Sequence, residues 1–121
     1  LYPGVWAGQM TAAINAGAEG IVLVAFGAGN IPLKEWPEAI AAATEAGIPV
    51  IICTQSLEGR AVLGRYSGGM AAKKAGALCA GAMTRESAIV KTMFLLPKCR
   101  TIAEFERAWR VIIAGEDRPA T

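Results

Sequence analysis

Two unbroken apolar runs punctuate the first half of the chain. Ile21-Val22-Leu23-Val24-Ala25-Phe26 lies between Gly20 and Gly27, and Ile48-Pro49-Val50-Ile51-Ile52-Cys53 follows Gly47. Neither alternates with polar residues, both are rich in β-branched types, and both are too short for helices. That pattern predicts strands covered on both faces in a parallel sheet. A weaker run, Ala77-Leu78-Cys79-Ala80, again follows a glycine, and Leu1-Tyr2 has the character of a strand stump.

Between these runs the pattern turns helical. Helices are expected over Trp6 to Ala16, Pro37 to Ala46 and Ser67 to Ala75, closed by Gly17, Gly47 and Gly76. Pro37 and Glu38 suit a first helical turn, and Gly47 suits the position just past a helix end. Later, Thr84 is a good N-cap. Ile89, Val90, Met93, Phe94 and Leu96 then supply a broad apolar face up to Pro97. Thr101 and Glu104 form a capping box for a last helix through Phe105, Trp109, Ile112 and Ile113, ending near Gly115. The tail Glu116 to Thr121 reads as polar and frayed.

Strand-to-strand intervals of roughly 20 to 30 residues suit right-handed crossovers through a helix. The expected fold is a single α/β domain over 1–121, three-layered and flavodoxin/Rossmann-like, with a small parallel sheet of about four strands flanked by helices. Ligands in such folds gather at the carboxyl ends of the strands, where strand order reverses.

Composition then narrows the chemistry. Of 121 residues, 54% are apolar and 18% charged, which excludes a disordered chain. A net charge of +2, with Lys73-Lys74 the one adjacent basic pair, gives no footprint for nucleic acid, and no apolar run is long enough to span a membrane. Histidine is absent, so Ser-His-Asp or Cys-His catalysis and histidine-ligated zinc cannot be built from this chain. Cys53, Cys79 and Cys99 are too few and too scattered for a disulfide framework or an all-cysteine zinc site. No metal or cofactor is expected.

Two polar loops occupy the ends of the strong strands. Gly27-Ala28-Gly29-Asn30-Ile31-Pro32 fails as a dinucleotide fingerprint, because Pro32 stands where the third glycine belongs. Gly27 and Gly29 permit a tight backbone, and Asn30 offers an amide donor and acceptor; it either closes its own turn or serves a site. Thr54-Gln55-Ser56 brings hydroxyls and an amide to the next strand end, for loop hydrogen bonding or for a site. Tyr66 sits in a glycine-rich stretch and invites either packing or contact with a ligand. Trp6, Trp36 and Trp109 are expected to pack the helices. Glu58, Glu86 and Lys91 read as solvated or helix-end charges.

Taken in order, these blocks resemble the C-terminal domain of the L-asparaginases, particularly the cytoplasmic type I branch. The resemblance rests on Leu1-Tyr2-Pro3-Gly4, Gly20 to Leu23 and Phe26 to Pro32. It continues through Gly47 to Val50, Thr54-Gln55-Ser56, Gly59, Tyr66 to Gly69 and Ala75-Gly76. Met83 to Ala88, Lys91 and Leu95-Leu96 complete it. It implies a two-domain amidohydrolase, a homodimer or homotetramer, that converts L-asparagine to L-aspartate and ammonia through a threonine nucleophile. That nucleophile belongs to an N-terminal domain absent from this chain, so no catalytic residue is expected here and the piece alone is expected to be inactive. By the same resemblance Asn30 and Tyr66 are substrate-site residues reached across a subunit boundary, supported by Gly27, Gly29, Gln55 and Ser56. Val24 and Ser56 stand where some bacterial relatives have an arginine and a cysteine near a second asparagine pocket, which speaks against regulation by substrate. Three unpaired cysteines and the type I likeness point to the cytoplasm. The alternatives are an asparaginase-like subunit of a tRNA-dependent amidotransferase and a stand-alone small-molecule binding module. Because the chain opens at Leu1, it is expected to be one piece of a longer polypeptide.

Overall fold

A computed structural model describes residues 1–118 and gives the order α1 (Gly8–Asn15), β1 (Ile21–Ala25), α2 (Trp36–Glu45), β2 (Val50–Thr54), α3 (Ser67–Lys74), β3 (Leu78–Cys79), α4 (Arg85–Leu95), a 3-10 turn (Leu96–Lys98) and α5 (Ile102–Trp109). The three strands form one parallel sheet, with Ile21 opposite Val50 and Ile51 opposite Leu78. The α/β class and the parallel sheet are as the apolar runs predicted. The sheet has three strands among the described residues rather than about four. Leu1 and Tyr2 are not a strand, although the Leu1 amine donates to the Val24 carbonyl at 2.6 Å. Strand order runs β1-β2-β3 without reversal, so the expected switch-point crevice is absent among these strands.

Side-chain alternation divides the sheet between two cores. Ile21, Leu23, Ala25, Val50 and Ile52 face one side, where Met10 of α1, Trp36, Ile40 and Ala43 of α2, and Ala72 of α3 cover them. Ile51, Cys53 and, less completely, Val22 and Val24 face the other, against Ala88 and Leu95 of α4 and Phe105 and Trp109 of α5. β2 is buried along its whole length, which is why its sequence shows no polar alternation.

Each strand is launched by the same device. At the end of α2, Gly47 takes a φ of 81° and donates to the Thr44 carbonyl, while Ile48 donates to Ala43. This Schellman pair satisfies helix-end carbonyls and turns the chain into β2, and the Gly17 and Gly76 junctions repeat it.

The C-terminal third departs from its pattern. Ile89, Val90, Met93 and Phe94, which belong to the broad apolar face expected of α4, are exposed, whereas Lys91 and Thr92 are buried. Lys91 is therefore not a solvated charge. Its Nζ donates to Glu116 at 2.6 Å and to the Val111 carbonyl at 2.7 Å. α5 stops at Trp109, short of Ile112 and Ile113, because residues beyond it give their backbone groups elsewhere. Val111 gives its carbonyl to Lys91, while Ile113 and Ala114 donate to the Glu116 carboxylate. Glu116 is thus ordered rather than frayed; residues 119–121 of the expected tail lie outside the described residues. Trp36 and Trp109 pack as expected, but Trp6 is 60% exposed and lies across Gly8. No helix among the described residues is long and apolar enough to cross a membrane.

Candidate functional site

The loop after β1 is closed by its backbone. Gly29 and Asn30 both donate to the Phe26 carbonyl, at 2.9 and 2.8 Å, and Phe26 donates back to the Asn30 carbonyl at 3.1 Å. Gly29 has a φ of 99°, and an added Cβ would press on Leu63 and Ile52 at 3.2 and 3.3 Å, so conformation and space both demand glycine. The turn therefore needs nothing from the Asn30 side chain. Its Oδ1 is buried and accepts no hydrogen bond among the described residues. That oxygen lies against the first turn of α3, where a Cβ on Gly68 would overlap both it and the Ile31 carbonyl.

Tyr66 occupies the N-cap position of that same helix, half exposed, with the Arg65 guanidinium 5.6 Å above its ring. The fold thus brings Asn30 and Tyr66, 36 positions apart in sequence, to one corner at the start of α3. A third segment joins them, since Val62 donates to the Ala28 carbonyl at 2.7 Å.

The Thr54–Ser56 loop divides into different tasks. Thr54 is buried; its hydroxyl donates to the Gly27 carbonyl and accepts from the Ser56 amide at 3.0 Å, tying the two strand ends together. Gln55 donates its side-chain amide to the carbonyls of Leu1 and Val24. It is a structural tie rather than a free ligand group. Ser56 is exposed at the mouth of a cleft of about 100 Å³ that also holds Gly59, Thr84, Arg85 and Glu86. The site reading from sequence missed these last three. Their signals were the N-cap pattern of α4, in which Thr84 Oγ1 accepts from the Ser87 amide at 3.1 Å, and their place in the Met83 to Ala88 block of the resemblance. Arg85 and Glu86 pair at 2.9 Å; the hydrogen bond between them raises the guanidinium and lowers the carboxyl relative to their ordinary values, so both stay charged.

No hydroxyl here is set up as a nucleophile. Thr54 has both its donor and its acceptor engaged, Thr84 caps a helix, and Thr11 lies out on α1. Burial pushes the Cys53 thiol up, away from a reactive thiolate. Among the described residues no group of three His, Cys, Asp or Glu side chains could hold a metal ion. A cavity of about 690 Å³ lies along the outer edge of β3 beside Arg60, Lys73, Cys79 and Trp109, and contains none of Asn30, Gln55, Ser56 or Tyr66.

The family model described as the glutaminase/asparaginase C-terminal domain matches residues 1–108. An L-asparaginase from Thermococcus kodakarensis is 35% identical over 96% of the chain. A glutamyl-tRNA(Gln) amidotransferase component from Aeropyrum pernix is 32% identical over 95% of it. The solved thermostable L-asparaginase from Thermococcus kodakarensis superposes with a TM-score of 0.91 over 99% of the chain, at 34% identity. The chain spans only 35%, 27% and 37% of the lengths of these three, respectively.

Proposed function

The chain belongs to the glutaminase/asparaginase C-terminal domain family, and from that premise we propose that it is the C-terminal domain of an amidohydrolase that splits L-asparagine into L-aspartate and ammonia. The nucleophile and its activating groups belong to the remainder of the polypeptide. This domain supplies positioning groups and subunit contacts.

One observation carries the reading. The Asn30 carboxamide oxygen is buried at a strand end without a partner among the described residues, while the turn it belongs to is closed by backbone alone. A buried acceptor left unsatisfied costs about 1 to 3 kcal/mol, so a donor brought by substrate or by a neighbouring subunit would remove a standing penalty. Tyr66 and the fully exposed Leu57 (97%) stand at the same end of the sheet, which suits a face covered by another subunit. Gly27 and Gly29 shape the loop, and Gln55 holds β1, β2 and the N-terminus in register. The chain's own chemistry is consistent with a cytoplasmic protein, its three cysteines being unpaired.

A second reading is favoured by the Aeropyrum relative: an asparaginase-like component of a tRNA-dependent amidotransferase, which releases ammonia for a partner. Ammonia release separates these readings. The complete gene product is expected to release ammonia from free L-asparagine, whereas the 121-residue chain alone gives none above a boiled control. Release that requires a partner protein and charged tRNA supports the second reading. Release by the isolated chain overturns both.

A further inference from the structure

We propose that the segment from Arg110 to Arg118 is a charge-fastened strap: it holds the walls of the Ser56 cleft at their spacing and opens as one unit. After α5 this stretch takes up neither helix nor strand. Val111, Ile112 and Ile113 are exposed, so apolar burial does little to hold it in place. Its fasteners are polar, and they fall into two groups. The first joins the strap to α4. Glu116 accepts from the Ile113 and Ala114 amides at 3.0 and 2.8 Å and takes the Lys91 ammonium at 2.6 Å, while Lys91 also donates to the Val111 carbonyl. The second joins the strap to two loops. Asp117 Oδ1 accepts from the Ala82 amide at 2.8 Å and lies 3.9 Å from the Arg60 guanidinium, which donates to the Arg118 carbonyl at 2.7 Å. Gly81 makes room for that carboxylate: its φ is 60°, and a Cβ there would come within 2.5 Å of Asp117 Oδ2.

Each fastened group leads directly to a wall of the cleft. Ala82 is part of one wall, and Arg60 follows Gly59 on another. Lys91 stands on the helix whose first turn supplies Thr84, Arg85 and Glu86. These walls come from separate parts of the sequence, and the strap bonds to all three. Glu116 and Asp117 are adjacent, so the grip on α4 and the grip on the loops share one peptide unit with no slack between them. Release of either carboxylate therefore loosens the other. Charge-assisted hydrogen bonds hold the closed strap firmly. Because the strap buries little apolar surface of its own, it opens without the sheet unfolding.

Hydrogen exchange on the complete protein tests this, read at the amides of Ala82, Ile113 and Ala114. In the unsubstituted protein the three are expected to share one degree of protection, well below that of β2. Asp117→Ala removes the partner of Ala82 alone among these amides, yet it is expected to speed exchange at Ile113 and Ala114 as well. Glu116→Ala is expected to do the converse and speed exchange at Ala82. Each acceleration should be about 10- to 100-fold, as for loss of a hydrogen bond to a charged group. Faster exchange confined to the amides bonded to the substituted carboxylate overturns the proposal. So does protection of the three amides equal to that of β2, since strap and sheet then open only together. A variant that does not fold overturns it for the same reason.

Discussion

α2 and α4 cover opposite faces of the same sheet, yet their apolar residues point in opposite directions. In α2 the apolar stripe faces inward: Trp36, Ile40 and Ala43 are buried against β1 and β2. In α4 the larger apolar side chains face out, and the positions against the sheet are Ala88, Lys91, Thr92 and Leu95. Small residues let α4 lie close to β1, where Thr92 and Leu96 sit against Gly20. Thr92 returns its hydroxyl to the Ala88 carbonyl at 2.7 Å, and Lys91 is neutralised by Glu116, so each buried polar group has a partner. An amphipathic period thus marks a face that wants covering, but not by what.

The sharpest way to break the comparison is truncation on each helix. Ile40→Ala removes a fully buried side chain and is expected to lower stability by about 2 to 4 kcal/mol in urea unfolding. The Lys91 contact comes next. Lys91→Ala leaves the Glu116 carboxylate with only the Ile113 and Ala114 amides and no counter-charge, and releases the Val111 carbonyl. Because Glu116 retains some solvent contact, the expected loss is about 2 to 3 kcal/mol, below that of a wholly buried pair. Lys91→Met combined with Glu116→Gln should recover most of it.

Acid titration probes the same contact more gently. The hydrogen bond from Lys91, then backbone amides of Ala114 and Ile113, hold the Glu116 carboxyl down to about 2 against an ordinary 4.5. The unfolded chain binds this proton first, so the stabilisation is complete above about pH 4.5 and is lost as pH falls toward about 2. Glu116→Gln is expected to flatten that part of the stability–pH curve. The smallest effect belongs to the outward face: Phe94→Ser, at a half-exposed position, should shift stability by less than about 0.5 kcal/mol. A loss comparable to that of Ile40→Ala would show that α4 packs like α2 after all.

What could be read in the sequence follows the same division. β1, β2 and the glycine-terminated helices were legible because their determinants are local: continuous β-branched runs and glycines at left-handed positions. The direction of α4 was not, since Lys91 finds its counter-charge 25 residues away and no periodicity announces Glu116. Early termination of α5 has the same cause. At the candidate site, Asn30 and its glycines were legible from the loop, but the approach of Ser56 to Thr84, Arg85 and Glu86 depends on how the β2 loop meets α4. The role of Gln55 as a tie depends on Leu1 lying beside β1.

The central claim is that the Asn30 carboxamide serves a site rather than its own turn. The most direct measurement determines kcat/KM for asparagine and the melting temperature on one preparation of the complete enzyme carrying Asn30→Ala. Loss of one positioned hydrogen bond predicts a fall in kcat/KM of roughly 3- to 100-fold with the melting temperature essentially unchanged, because the turn is closed by backbone. An unchanged kcat/KM with a lowered melting temperature would contradict it, and would return Asn30 to a purely structural part.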